Sequence, residues 1–557
     1  MKKLLLSVFT LVTITSSVAQ VFTGTTYRGA FAPAPTPMWT QGWAEWDPQN
    51  KIYPAPTVTV NTNITANTTW ATGQTVLLQG PIYVKGNSVL TIQPGVVVLG
   101  SKAVAGSALI VTKGSQLVAI GNTVNPIVFC SDQAPGARSV GDWGGIILLG
   151  SAALNYTNGI NNVEGLPVSV DSEFGGGATP NNNDNSGSLQ YLRIEFGGYV
   201  YQPNKEINGL TLGAVGKATT LKYIQTSFTN DDGFEWFGGN VDAKYLVSYR
   251  NLDDDFDTDN GYSGNVQFGL IVRDPNLADN PTVSTSEGFE SDNDANGTTA
   301  TPLTSGIFSN ITMVGPFRGA NTNTIASGYR RAVRIRRTSN LKIYNSIFMD
   351  TQRGVHVDGT NCEIAAGNGG LKFKHNIVAG TAIGKTVEQN AANSFATNAG
   401  SAMNVWFGNN GNDSILNSSP SFSNILTTPY NYTSPDYRPG TGSPALATAS
   451  FTDPVIAPLT GFTGYTEVKK EIGYVALYPN PASDITSLII NSNIDSDISV
   501  NVMDVTGKLV LSVVKDLQIF EGTNELTINT QNLTNGVYFV TLNTKLGKET
   551  VKLVVSK

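Results

Sequence analysis

Short stretches of alternating apolar and polar residues, separated by Gly and Asn, occupy most of the chain. VLLQGPIYVKGNSVLTIQPGVVVLGS from Val76, SALIVTKGSQLVAIG, NPIVFCSD and GDWGGIILLGSA all have this form. A period of two with β-branched and aromatic enrichment predicts strands, and the Gly and Asn positions predict the turns between them.

The pattern also repeats. LKYIQTSFTNDDGFEWFGG (Leu221 to Gly239) is followed by AKYLVSYRNLDDDFDTDNG (Ala243 to Gly261), with Tyr223/Tyr245, Asp231/Asp253, Phe234/Phe256 and Gly239/Gly261 each 22 residues apart. EGFESDNDANG places Phe289 33 residues after Phe256, RRAVRIRR and QRGVHVDG place Val333 and Val355 22 apart, and NGLTLG places Leu210 24 before Phe234. Such a unit predicts a right-handed parallel β-helix. One coil cannot bury its apolar face alone, and stacking at ~4.8 Å completes the core. LKYI, AKYL, FSNITM, LKIYNSIF and LKFKHNIV are expected on one wall. Phe234, Phe256 and Phe289 are expected as an inward aromatic stack on another.

Aligning the coils on that Phe or Val position yields two columns. One residue after it stand Thr211, Glu235, Asp257, Glu290, Arg334 and His356; two before it stand Asn208, Asp232, Asp254, Glu287, Arg331 and Arg353. Three successive coils are acidic in both columns and the next two are basic. Like charges at roughly 4 Å cost about 1 kcal/mol in water and about 4 at an effective dielectric of ~20. The acids must hold protons, accept backbone donors or bind a hard cation. Asp253, Asp254, Asp255, Asp257 and Asp259 crowd one coil, which favours Ca²⁺. The expected ligands are Asp232, Glu235, Asp254, Asp257, Asp259, Glu287, Glu290, Asp292 and Asp294. Asp292 to Gly297 matches the first half of a D-x-D-x-N-G calcium loop, but Leu303 stands where an EF-hand needs Glu. A solvated or proton-sharing acidic ridge is the alternative.

The succession LTIQPGVVVLG, ALIVTKGSQLVAIG, NPIVFCSD and DWGGIILLG, continued by DDGFEWFGG and DDDFDTDNGYSG, resembles the secreted β-helix proteins of Bacteroidetes-type bacteria. The likeness runs from about Thr69 to Gly359. It implies the fold and says little about activity.

From about Glu471 the character changes to alternating strands with Asn-Pro, Thr-Gly-Lys and Asn-Gly turns, predicting a small antiparallel sandwich. Tyr478-Pro479-Asn480-Pro481, Gly507-Lys508, Gly536-Val537-Tyr538 and the terminal KLVV resemble the type A sorting domain of the type IX secretion system. That resemblance implies recognition by the outer-membrane translocon, cleavage by its sorting protease, and release or attachment at the cell surface. At the other end, Met1 to Gln20 reads as a signal peptide cleaved after Ala19: Lys2 and Lys3, an apolar run too short to span a bilayer, then small residues. The expected domains are therefore a signal peptide (1–20), an N-terminal cap segment (21–68), the β-helix (69–463), a linker (464–475) and the sorting domain (476–557). Trp39, Trp43 and Trp46 suit either a carbohydrate platform or a cap over the solenoid's open end, and the cap is the expected role.

Composition narrows the chemistry. The chain has 557 residues with 35 Lys and Arg, 42 Asp and Glu, two His and two Cys, for a net charge of −7. A Cys/His zinc site would need three or four ligands from Cys130, Cys362, His356 and His375, which lie in unrelated contexts. The two Cys are either a disulfide or isolated buried thiols. The acidic balance argues against nucleic acid, and no later apolar stretch spans a membrane. Two functions remain. One is a calcium-rigidified surface protein that binds a glycan or another surface. The other is a lyase or glycosidase using Glu235, Asp257, Arg334, Arg353 or His356. For the second, a uronate's α-proton needs a base, and a glycosidic bond needs two carboxylates about 5 Å or roughly 6.5–9.5 Å apart. The extra residues after Phe256 are where a lid over such a site is expected.

Overall fold

The computed structural model describes residues 21–557 except 203–204, 283, 383–384, 390–401, 461–471, 493–495, 521 and 545–546. The expected cleavage site at Ala19 and residues 464–471 of the expected linker lie outside the described residues. The chain forms two units, divided between residues 461 and 462.

The first unit is a parallel β-helix. One wall stacks Val58–Val60, Thr75–Leu78, Val97–Gly100 and Ile127–Ser131; a second stacks Thr68–Trp70, Val89–Ile92 and Gln116–Ile120. From Gly187–Glu195 onward the two walls share single long strands, through Thr220–Ser227, Ala243–Tyr249, Asn265–Val272 and Ile307–Val314. Each bends at one residue held at positive φ: Tyr191 (50°), Tyr223 (56°), Tyr245 (63°), Phe268 (62°) and Asn310 (57°). Non-glycine residues seldom adopt this conformation, so five in register mark a built corner. Its rings stack outward, with centroids 4.4 Å apart from Tyr191 to Tyr223 and from Tyr223 to Tyr245, and 5.1 Å to Phe268.

The third wall pairs Leu210–Gly213, Phe234–Phe237, Phe256–Asp259, Ser286–Ser291, Tyr329–Arg336 and Arg353–Asp358 in the register the repeat requires. Leu210, Phe234, Phe256, Phe289, Val333 and Val355 are all buried in the core. The phenylalanines meet edge-to-face at 5.6 and 5.2 Å. Alternation then turns Glu235, Asp257, Glu290, Arg334 and His356 the other way, out of the core.

Two expectations about the N-terminal segment need correction. The coils begin near Val58, with Ile64 bridged to Val84, and not at residue 69. The tryptophans neither cap an open end nor form a platform. Trp43, fully buried, sets its edge on Tyr191 and Tyr223; Trp39 packs on Tyr245, and Trp46 on Tyr249 and Tyr437. They cover the ring ladder, whose apolar faces the left-handed corner would otherwise leave in water. The segment is a strap running against the order of the coils. Arg28 N donates to Ala445 O (2.8 Å), Ala30 N to Thr312 Oγ1 (2.8 Å), Glu45 N to Gln225 Oε1 (2.9 Å), and Thr57 N to Thr75 O (2.8 Å). The last coil strand is Asp413–Ile415, so residues 416–460 flank the helix without adding coils to it. Cys130 and Cys362 are both buried and unpaired.

The second unit is an antiparallel sandwich. Ile472–Tyr478, Ile485–Ser492 and Gly522–Asn529 form one sheet; Leu509–Ile519, Ser496–Asp504, Gly536–Asn543 and Lys548–Val555 form the other. Its first strand begins at Ile472, inside the expected linker. Leu488, Ile490, Val500, Val502, Val540 and Leu553 fill the core between the sheets. The motif residues hold the fold's edges. Asn480 clamps the last strand, donating to Lys552 O and accepting from Val554 N at 2.8 Å each. Thr486 Oγ1 donates to Pro479 O (2.8 Å), while Tyr478 is 77% exposed. Gly507 supplies the positive φ (83°) of the Asp504–Lys508 turn, which a larger residue would strain. Tyr538 Oη donates to Thr534 O (2.9 Å) beside Gly536 and Val537.

Candidate metal centre

Stacking the acidic coils produces a cavity of about 290 Å³ beside the third wall. Ten carboxylates line it: Glu164, Glu206, Asp231, Asp232, Glu235, Asp253, Asp254, Asp257, Asp279 and Glu290. Asn230 and Ser284 complete the lining, and among the described residues no Lys, Arg or His belongs to it. Three groups bring ligand oxygens within 4.8 Å of one another: Asp231, Asp232 and Asp253; Asp232, Glu235 and Asp257; Asp254, Asp257 and Glu290. Consecutive groups share a residue, so the site is a ladder along the helix axis.

Some of these oxygens are satisfied by protein donors. Asp254 N donates to Asp232 Oδ1 (3.0 Å), Glu287 N to Asp254 Oδ1, and Asn208 Nδ2 to Glu235 Oε2. One oxygen each of Asp253 and Asp257 is buried with no hydrogen-bond partner. Burial first, and the neighbouring carboxylates second, push Asp232, Glu235, Asp253, Asp254 and Asp257 well above the usual carboxylate range. Asp231 is pushed up to about 7 by burial and then by Glu206. Desolvation and repulsion act in the same direction here, and both are relieved by a cation. Six to eight oxygens at about 2.3–2.6 Å is what Ca²⁺ takes, and this donor set, all oxygen and mostly carboxylate, fits it.

Of the residues expected to bind metal, Asp232, Glu235, Asp254, Asp257 and Glu290 come together in the cavity. The others do not. Glu287 pairs with Arg331 at 2.6 Å, and Asp292 with Arg336 and Arg337 at 2.8 Å each. Asp294 closes its own turn on Thr298 and Asn296. Asp259 stands further along the strand and accepts from Asn260 N at 2.5 Å. The candidate bases also lie outside the cavity. Arg334 pairs with Asp358 (2.9 Å) and Glu290 (3.5 Å), and Arg353 with Glu388 (2.7 Å); His356 is 5% exposed, with Nδ1 3.8 Å from Asp358.

Sequence reasoning missed five of the ten lining acids as ligands. Asp231 and Asp253 each stand one residue before a column acid, in NDD and LDDD, so the doublets were a visible signal. Glu164, Glu206 and Asp279 arrive on insertions that carry no trace of the repeat. Asp279 and Ser284 lie in the extra residues after Phe256.

A ten-strand parallel wall with its ladder of side chains is the architecture of one known class. The pectate-lyase-like β-helix domain family matches residues 62–417, and the chain belongs to it. Residues 476–556 match a secretion-system C-terminal sorting domain, the type IX signal that directs a protein out of the cell or onto its surface. No curated protein matches the chain. Among solved structures it is similar to full-length tailspike protein 2 from an Escherichia coli O157:H7 bacteriophage, at 10% identity and a TM-score of 0.19 over 86% of this chain; it spans 64% of that chain's length. The enzymatically active domain of bacteriophage CBA120 tailspike protein 2 is similar at 10% identity and a TM-score of 0.18, covering 86% of this chain and 72% of that one. Among the described residues no helix is long and apolar enough to cross a membrane.

Proposed function

We propose that this protein is a surface-displayed, non-catalytic glycan binder whose β-helix is locked by calcium in the acidic cavity. The observation that carries the reading is the composition of that cavity: ten carboxylates and, among the described residues, no cationic side chain. Ionised and empty, it repels itself; loaded, it ties consecutive coils together through shared ligands. A lyase needs a base beside the neutralised acid. Arg331, Arg353 and His356 are engaged with Glu287, Glu388 and Asp358, and Arg334, 3.5 Å from Glu290 at the cavity's edge, is paired more closely with Asp358 at 2.9 Å. Export then proceeds through the outer-membrane translocon, with the sorting domain removed by its protease and the β-helix released or fixed at the surface.

The test uses the purified full chain in calcium and in chelator. Unfolding is followed by near-ultraviolet circular dichroism, beside a glycan array and a depolymerisation screen. Calcium at ~100 times its Kd should add about 2.7 kcal/mol per site, with glycans retained uncut. An unfolding curve indifferent to chelation overturns the calcium reading. Calcium-dependent release of unsaturated oligosaccharides overturns the non-catalytic one.

A further inference from the structure

A second cavity, of about 580 Å³, adjoins the acidic one and shares Glu164 with it. It lies under the insertion that follows Ile146–Leu149 and is lined by Tyr156, Asn161, Asn162, Phe174, Tyr201 and Phe237, among others. The strand Phe234–Phe237 connects the two sites. Glu235 and Phe237 are two residues apart and project from the same face, so one strand presents an acid to the first cavity and a ring to the second. Phe237 is held from behind by Phe174, with centroids 5.9 Å apart. Phe174 fills the space left by Gly213, where an added Cβ would lie 2.7 Å from its ring. Tyr156, 49% exposed, offers a second ring at the mouth.

The polar atoms are equally disposed. Asn161 Oδ1 accepts from Asn162 N (2.8 Å), and Asn162 Oδ1 accepts from Ser172 Oγ (2.8 Å) and Ser169 N (3.2 Å). With both carboxamide oxygens engaged, the NH₂ groups are what these residues offer a ligand. Aromatic faces, fixed amide donors and a volume within the ~300–1,000 Å³ of small-ligand pockets suit a ring with apolar CH faces and hydroxyl edges.

We infer that this cavity is the glycan subsite and that it takes a neutral sugar ring. The inference rests on the glycan-binding reading above and names where and what that reading binds. Neutrality follows from the lining's own charges: one acid, Glu164, and one base, Lys205, leave no net positive charge to hold a sugar carboxylate.

The test is binding of methyl glycosides of neutral hexoses and N-acetylhexosamines to the full chain in calcium, with methyl hexuronides as charged counterparts. Neutral glycosides should bind and hexuronides should not. Tyr156→Ala and Asn161→Ala, both in the insertion, should each weaken binding about tenfold, whereas Tyr156→Phe, which keeps the ring, should bind as the parent does. Unchanged calcium stabilisation in these variants shows that the fold is intact. If glycans bind the parent and both alanine variants equally, the subsite is wrong while the glycan reading stands. Preference for hexuronides overturns the neutral assignment. If no glycan is retained on the array and no glycoside binds, the glycan reading itself falls.

Discussion

Two stretches of the third wall share one register and opposite electrostatics. From Asp231 to Asp257 the acids that line the cavity face one another, whereas Asp255 pairs with Arg273 at 3.1 Å. From Glu287 to Glu388 almost every acid meets an arginine: Glu287 with Arg331, Asp292 with Arg336 and Arg337, Asp358 with Arg334, and Glu388 with Arg353. Glu290 stands at the boundary, bonded to Arg336 and also lining the cavity. The comparison shows that the chain neutralises stacked carboxylates with side chains wherever it has them. Among the described residues, the wall supplies such a partner to Glu290 of the acids lining the cavity, and for the others the proposed calcium would take that place.

The sharpest way to break the comparison is Arg336→Met. It strips from Glu290 and Asp292 the arginine that bonds both, leaving Asp292 only Arg337 and Glu290 only the longer contact with Arg334, and should cost about 3 kcal/mol in urea unfolding. Next comes Asp232→Asn with Asp257→Asn. In chelator this variant should be more stable than the parent, because each close like-charged pair removed relieves up to about 4 kcal/mol, and partial protonation reduces that to about 2. It should also lose most of its response to calcium. A variant that is less stable in chelator would show that the acids are held by the protein and not by an ion.

A smaller effect separates the stretches by pH. In the acidic run burial and repulsion raise the folded-state pKa, so the stability these groups contribute is full below the unfolded value near ~4. It is lost as pH rises toward about 7, where burial and Glu206 have moved Asp231. Among the paired acids, burial alone would raise Glu388, but hydrogen bonds from Arg353 and Lys385 hold it below the usual range. Its contribution is present above the unfolded pKa and lost as pH falls. Chelated protein should therefore lose stability between about pH 4 and 7, and calcium should abolish that slope. A flat profile in chelator contradicts the raised acids. The least effect belongs to Asp294→Asn, within about 0.5 kcal/mol and without change in calcium affinity, since its turn is exposed and outside the cavity.

Much of this wall was legible because a β-helix writes its register into a fixed repeat. Phe234, Phe256 and Phe289 align by spacing alone, and the residues beside them inherit their outward direction. Asn265–Val272 passed unremarked because Gly269 and Gln267 dilute its pattern. Three kinds of information were not legible. Glu164, Glu206 and Asp279 reach the cavity through insertions whose paths no periodicity sets. The partners of Arg334 and Arg353 depend on side-chain reach across coils. The tryptophans read as a cap because their target, a ladder of rings at a left-handed corner, exists only once the coils are stacked.

That strap changes how the molecule comes apart. Stacked coils answer only to their neighbours, so a plain solenoid frays from either end. Here one covalent segment is bonded to coils near Thr75, Gln225 and Thr312 and to the flank at Ala445. Loosening any one of them strips cover from the rest, which makes unfolding a shared event across the full length. The same closure brings together residues more than 400 positions apart in sequence, as in Arg28 to Pro444, so the strap can seat only after the distant coils exist. Resistance to unravelling is thereby coupled to slow, late completion of the fold.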